Sequence, residues 1–155
     1  MKVLLLAPSQ KQIYGEKVAP PYPPLGLLGV GAVLKTAGHE VKFIDLAAEN
    51  YNDAKLISQV KSFVPDLVCL TCVTPTFGEA VRLAGLVKNN SVALTVLGGV
   101  HPTIAPEESF KYREIDFLVI GEGELTIAEL ALNLEKSEKN FSQIKGLWSR
   151  DGEEI

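Results

Sequence analysis

The sequence predicts a doubly wound α/β domain: a flavodoxin-like (Rossmann-like) sheet of five parallel strands in the order 2-1-3-4-5, with a C-terminal β-hairpin. Three observations lead there. Short apolar or β-branched runs alternate with longer segments of helical period, the pattern of parallel strands joined by crossover helices. The strand interiors are nearly continuous in apolar residues, as strands covered on both faces require. A chain of 155 residues, 46% of them hydrophobic, fills one domain around a single substantial core.

Each element follows from its own signals. "KVLLLA" at 2–7 is the first strand, and a long connection, 8–24, containing "GEKVAPPYPPLG", leads to a helix from Leu25 to Ala37. Prolines precede that helix and Gly38 follows it, a start and stop pair. "EVKFID" (40–45) is the second strand, and a helix from Asp53 to Phe63 ends ahead of Pro65. "DLVCLT" (66–71) is the third, followed by a helix over "FGEAVRLAGLVKNN" with Thr76 and Glu79 spaced as a capping box. "ALTVLG" (93–98) is the fourth, with a short helix after Pro106, and "DFLVIG" (116–121) is the fifth, with "LTIAELALNLE" as the last helix. The tail "KGLWSRDGEEI" reads as a strand, an Asp151-Gly152 turn and a return strand stopping after three residues. The expected organisation is therefore a domain at 1–140, with 141–155 the start of a hairpin or linker into a further domain outside this chain.

Composition narrows the function. The net charge is −4 and no Lys/Arg cluster is present, which disfavours nucleic acid and anionic membrane surfaces as partners. "MKVLLLAPS" has five apolar residues before Pro8, too few for a signal-peptide core or a membrane span, so a cytoplasmic protein is expected. Cys69 and Cys72 have C-x-x-C spacing, but on a strand they lie roughly 10 Å apart on opposite faces, so two buried, reduced thiols are expected. No Cys run for an iron–sulfur cluster occurs in the chain. Gly26, Gly29 and Gly31 lie inside the first helix, not after the first strand, and read as a close-packing face rather than a dinucleotide fingerprint. The acidic residues of a phosphoacceptor receiver and the G-x-S-x-G of a nucleophile elbow are both missing.

What the carboxyl edge of the sheet offers is small or hydroxyl-bearing: Ser9, Thr71, Thr74, Thr76, Gly98, Gly99, His101, Thr103 and "GEGE" at 121–124. Glycines let backbone approach a bulky group and hydroxyls bind without charge, so this edge suits a large ligand, placed near the switch between strands 1 and 3. The connection 8–24 is expected to form part of the site. His101 either orients its loop, meets the ligand or sits in a Pro102 turn. His39 falls on the opposite edge and reads as structural.

The segments "PPYPPLGLLGVGAVLKTAGHEVKFIDL", "PDLVCLTCVTPTFGEAVRLAGLVK", "VLGGVHPTIAPEE", "DFLVIGEGELTIAELALNLE" and "IKGLWSRDGEEI", in this order, resemble the N-terminal cobalamin (B12)-binding domain of cobalamin-dependent radical SAM enzymes across essentially the whole chain. The resemblance implies a base-off corrinoid over the carboxyl edge, its nucleotide tail in a slot beside strands 1, 3 and 4. The implied binding residues are Ser9, then Thr71, Val73, Thr74 and Thr76 of "TCVTPT", Gly98 and Gly99 as room for the tail, His101, and Gly121, Glu122 and Gly123 beside the corrin. On that reading Gly99→Leu fills the slot with little change in stability. Related folds take their lower cobalt ligand from an Asp-x-His-x-x-Gly motif after strand 1; no histidine stands there, so no metal-ligating or catalytic residue is expected in this chain. S-adenosylmethionine and a [4Fe-4S] cluster would belong to a downstream radical SAM domain of a methyltransferase or cyclase. The alternatives are the nucleotide-sugar half of a glycosyltransferase, which shares "GHEV", and a ligand-free interaction module.

Overall fold

The structure, a computed structural model, describes residues 1–9, 23–48, 51–136 and 140–150. Most of the long connection (10–22) and the Asp151-Gly152 turn with its return strand lie outside the described residues. The strands are β1 (Lys2–Ala7), β2 (Glu40–Asp45), β3 (Leu67–Thr71), β4 (Leu94–Gly98), β5 (Phe117–Val119) and β6 (Leu147–Ser149). The helices are α1 (Leu25–Thr36), α2 (Asp53–Phe63), α3 (Phe77–Lys88), α4 (Val100–Ile104), α5 (Pro106–Ser109) and α6 (Glu124–Leu134), with a 3₁₀ turn at Thr74–Thr76.

The sheet order is β2-β1-β3-β4-β5-β6, parallel through β5. The expected 2-1-3-4-5 order is therefore present, but among the described residues the sheet has six strands, not five. β6 joins it antiparallel to β5, pairing Leu147 with Val119 and Ser149 with Phe117. The reason is local. Gly146, at φ +74°, reverses the chain while its carbonyl accepts the Ile120 N–H at 2.8 Å, and the buried Phe141 and Ile144 tie the approach to the core. The first arm of the expected hairpin thus has β5 as its partner.

Side chains alternate across the pleat into two cores. Leu5, Cys69, Val96 and Val119 pack under α1 and α6, while Leu4, Val68, Leu70 and Leu97 pack under α2 and α3. A Cβ on Gly31 would lie 2.7 Å from Leu5 Cδ1, so this glycine lets α1 lie directly on β1; of the other two expected on a close-packing face, Gly29 meets the Glu124 side chain and Gly26 has nothing within 4 Å. Gly38, at φ +89°, ends α1 where the sequence places its stop.

Two local expectations fail. Thr76 does not cap α3: its hydroxyl donates to the Val73 carbonyl and accepts the Val73 N–H, both at 3.1 Å, closing the 3₁₀ turn, and Glu79 pairs with Arg82 at 2.8 Å. The segment after Gly99, expected as a turn, is the short helix α4, whose Pro102 is tolerated in the first turn because its missing N–H has no intrahelical partner there. Among the described residues no helix is long and apolar enough to cross a membrane.

Candidate functional site

A cavity of about 360 Å³ opens at the carboxyl edge, on the face covered by α1 and α6. Its floor is the ends of three strands: Cys69, Leu70 and Thr71 of β3, Val96 and Gly98 of β4, and Val119 of β5. Leu27 and Val30 of α1 and Ile127 of α6 form apolar walls, and the rim carries Gly99, Val100, Thr103, Ile104 and the 121–124 loop. The expected slot is beside strands 1, 3 and 4; this cavity lies over the ends of β3, β4 and β5 and has no lining residue from β1 among those described. α1 closes over β1 through Gly31, whereas β4 ends in a residue without a side chain and leaves the space above it unfilled.

The two adjacent glycines do different things. A Cβ at Gly98 would meet nothing nearer than Val119 Cβ at 3.8 Å, so this glycine holds open space. Gly99 sits at φ +103°, ψ −167°, a region essentially closed to other residues. A Cβ there would stand 2.6 Å from the Cys72 carbonyl oxygen and 2.9 Å from its nitrogen. The expectation that Gly99→Leu leaves stability nearly unchanged is therefore corrected: Gly99 is a close approach of backbone to backbone, and Gly98 is the residue that keeps the cavity open.

α4 ties these loops together. Its Thr103 hydroxyl donates to the Gly99 carbonyl at 2.8 Å and accepts the Gly121 N–H at 3.0 Å. On its other side His101 is 4% exposed, with Nδ1 3.2 Å from the Thr74 hydroxyl and the ring 4.1 Å from that of Phe77. The His101 N–H donates to the Cys72 carbonyl at 3.3 Å. His101 thus orients the loop after β3 and does not line the cavity. His39 is at the opposite edge, buried, with Nδ1 3.4 Å from the Met1 nitrogen.

Of the residues singled out from sequence, the structure brings Thr71, Gly98, Gly99, Thr103, Gly121, Glu122, Gly123 and Glu124 around one cavity. Ser9, Val73, Thr74, Thr76 and His101 are not among its lining residues. Sequence reasoning missed the apolar walls, Leu27, Val30, Val96, Val119 and Ile127, because their spacing is that of ordinary core residues. It also missed Val100 and Ile104, which are 58% and 67% exposed at the rim. The signal available was an apolar pair four residues apart flanking His-Pro-Thr.

The described lining of the cavity is mostly apolar. None of its described lining residues is basic, and its charges are the carboxylates Glu122 and Glu124. Glu124 lies over α1, where a Cβ on Gly29 would stand 2.8 Å from its Oε1. Cys69 and Cys72 are free and buried, on opposite sides of the sheet, and desolvation pushes both thiols up to about 12, which holds them protonated and unreactive. Among the described residues no group of three or more potential metal ligands gathers. The donor set fits a flat, uncharged heteroaromatic group bordered by glycine backbone, and it does not provide the cationic grip a diphosphate needs.

The family described as "B12 binding domain" matches residues 11–131. An uncharacterized methyltransferase of Pyrococcus horikoshii is 35% identical over 149 residues, 95% of this chain and 31% of its own length. The anaerobic magnesium-protoporphyrin IX monomethyl ester cyclase of a Synechocystis species is 31% identical, over 100% of this chain and 32% of its own. TsrM, a radical S-adenosylmethionine methyltransferase of Kitasatospora setae solved with cobalamin and a [4Fe-4S] cluster bound, superposes with a TM-score of 0.80 at 25% identity, covering 96% of this chain and 28% of that one. The chain therefore spans about a third of the length of the relatives it matches.

Proposed function

The chain belongs to the B12 binding domain family, and from that premise we propose that it holds cobalamin base-off, with the nucleotide tail in the cavity above β3, β4 and β5. The observation that carries this reading is the open space over Gly98, walled by apolar side chains and free of described cations. Val96, Val119 and Ile127 would exclude water from a heteroaromatic group, and the backbone of Gly98 and Gly121 would approach it without intervening side chains. Bound cobalamin supplies redox-active, alkyl-transferring cobalt; the protein supplies position and surroundings.

The same reading places no imidazole beneath the metal. His101 is turned into the opposite core against Phe77 and Thr74, and His39 is at the far edge of the sheet. The reading extends to a cytoplasmic protein in which a following radical SAM domain carries S-adenosylmethionine and the [4Fe-4S] cluster, of methyltransferase or cyclase type as in the named relatives. A nucleotide-sugar site is disfavoured by the lack of a basic residue in the described lining.

Mixing the protein with hydroxocobalamin, desalting and recording the absorbance spectrum tests the central point: retained, base-off cobalamin is expected, and no retained corrinoid overturns it. Electron paramagnetic resonance of the Co(II) form tests the axial position, because a nitrogen there splits each cobalt line into three. Threefold splitting that disappears in His101→Ala would make His101 the ligand and refute this assignment.

A further inference from the structure

The five-residue helix α4 is held rigidly from one side and holds a loop on the other. Its anchored side is His101, buried against Phe77, bonded to the Thr74 hydroxyl and donating its backbone N–H to Cys72. Its start, Gly99, is pressed against the β3 backbone in a conformation closed to other residues. Thr103 faces the cavity rim from this fixed base. Its single proton goes to the Gly99 carbonyl and a lone pair receives the Gly121 N–H, so the hydroxyl spans the gap between the loop after β4 and the loop after β5.

The loop it reaches is held at its two ends, by the Ile120 N–H on the Gly146 carbonyl and by the Gly123 carbonyl accepting the Ile127 N–H, and Thr103 meets it between them. Gly121, at φ +77°, and Glu122 are exposed, and Gly123 only starts α6. Gly99, Thr103 and Gly121 all border the same cavity, so this bridge joins two of its walls. We propose that Thr103 is a positioning residue: through its hydroxyl, α4 clamps the Gly121 loop and presets the width of the cavity mouth for the corrinoid. This rests on the cobalamin reading above. A mouth already at its bound width binds without first ordering the loop, so the hydroxyl's effect falls on affinity and residence rather than on folding.

Thr103→Val keeps the shape and removes the hydroxyl; Thr103→Ser keeps the hydroxyl and removes a methyl. Amide hydrogen exchange at Gly121 and the affinity and release rate of hydroxocobalamin are measured on the whole chain. In the valine variant the Gly121 amide should exchange about tenfold faster and cobalamin should bind about three- to tenfold more weakly, mostly through faster release. Exchange in β1 and β3 should not change, and serine should restore both readouts. Unchanged Gly121 exchange in the valine variant overturns the clamp. Faster exchange with unaltered affinity overturns its role in binding, and failure of serine to rescue assigns the effect to the methyl group. Wild-type protein that retains no cobalamin sinks the cofactor reading, and this proposal with it; wild-type binding matched by the valine variant sinks this proposal alone.

Discussion

At the amino-terminal edge of the sheet, strand starts are met by polar side chains. Asp66 accepts the Lys2 N–H at 2.6 Å, Asp116 accepts the Thr95 N–H at 2.7 Å and pairs with Lys88 at 2.6 Å, and Glu135 lies 3.2 Å from the Met1 nitrogen. At the carboxyl edge β4 ends in Gly98 and Gly99, and the loop after β5 begins with Gly121 and continues to Gly123. One end is closed by the protein's own charges, and the other is left with glycine, hydroxyls and an unfilled apolar cavity. The difference teaches that the candidate site is made by omission: the cavity opens where the sequence leaves unfinished the packing it completes elsewhere.

The contrast can be broken most severely at Gly99. Gly99→Ala forces a Cβ into the Cys72 backbone at a Gly-only φ, and unfolding free energy should fall by about 3 kcal/mol in urea titration. A loss below about 1 kcal/mol would show that α4 can shift away. Next in size, Asp116→Ala removes the Lys88 pair and the acceptor for Thr95, which is fully buried, at the closed edge. Stability should drop by about 2 kcal/mol with cobalamin retention unaltered; coupled loss of retention would erase the distinction between the edges.

Gly98→Val sharpens the comparison from the open side. The new side chain enters free space, so stability should stay within about 1 kcal/mol while cobalamin affinity falls at least about tenfold. Equal affinity would move the site away from β4. The last effect concerns the thiols and appears only at alkaline pH. Burial pushes both up to about 12, so the folded chain keeps protons that the unfolded chain releases from about pH 8.5. Their contribution is fully present below that pH and is lost as pH rises toward 12, about 1 kcal/mol per thiol by pH 9. Urea midpoints between pH 7 and 9 should fall, and the slope should flatten in a Cys69→Ala, Cys72→Ala double variant.

Most of the fold was legible because its signals are local and redundant. β1 and β2 begin and end where their apolar runs do, and α2 runs from Asp53 to Phe63, where Pro65 and the periodicity place it. What was not legible depends on distance in space. Pro102 argues for a turn unless one sees Gly99 braced against Cys72, which lets a helix start there. Thr76 and Glu79 have capping-box spacing, yet the preceding 3₁₀ turn captures the hydroxyl. The glycine pair was visible as a feature of the site, but only the backbone angles assign one glycine to folding and the other to the cavity. Leu27 and Val30 look like core because they are core, buried in the same cluster onto which the cavity opens.

β6 runs away from the cavity and brings the chain to Arg150 beside the closed edge of the sheet. There the guanidinium lies over the Phe110 ring and donates to three carbonyls, those of Phe110, Tyr112 and Ile115. In mechanical terms this is a strain relief. Tension applied through Arg150 passes into that clasp and then along the β5–β6 ladder, where hydrogen bonds between neighbouring strands resist sliding together. That ladder ends at the Ile120 N–H on the Gly146 carbonyl, one residue before the Gly121 loop, so a single strand pair joins the clasp at Arg150 to the opening at the other edge.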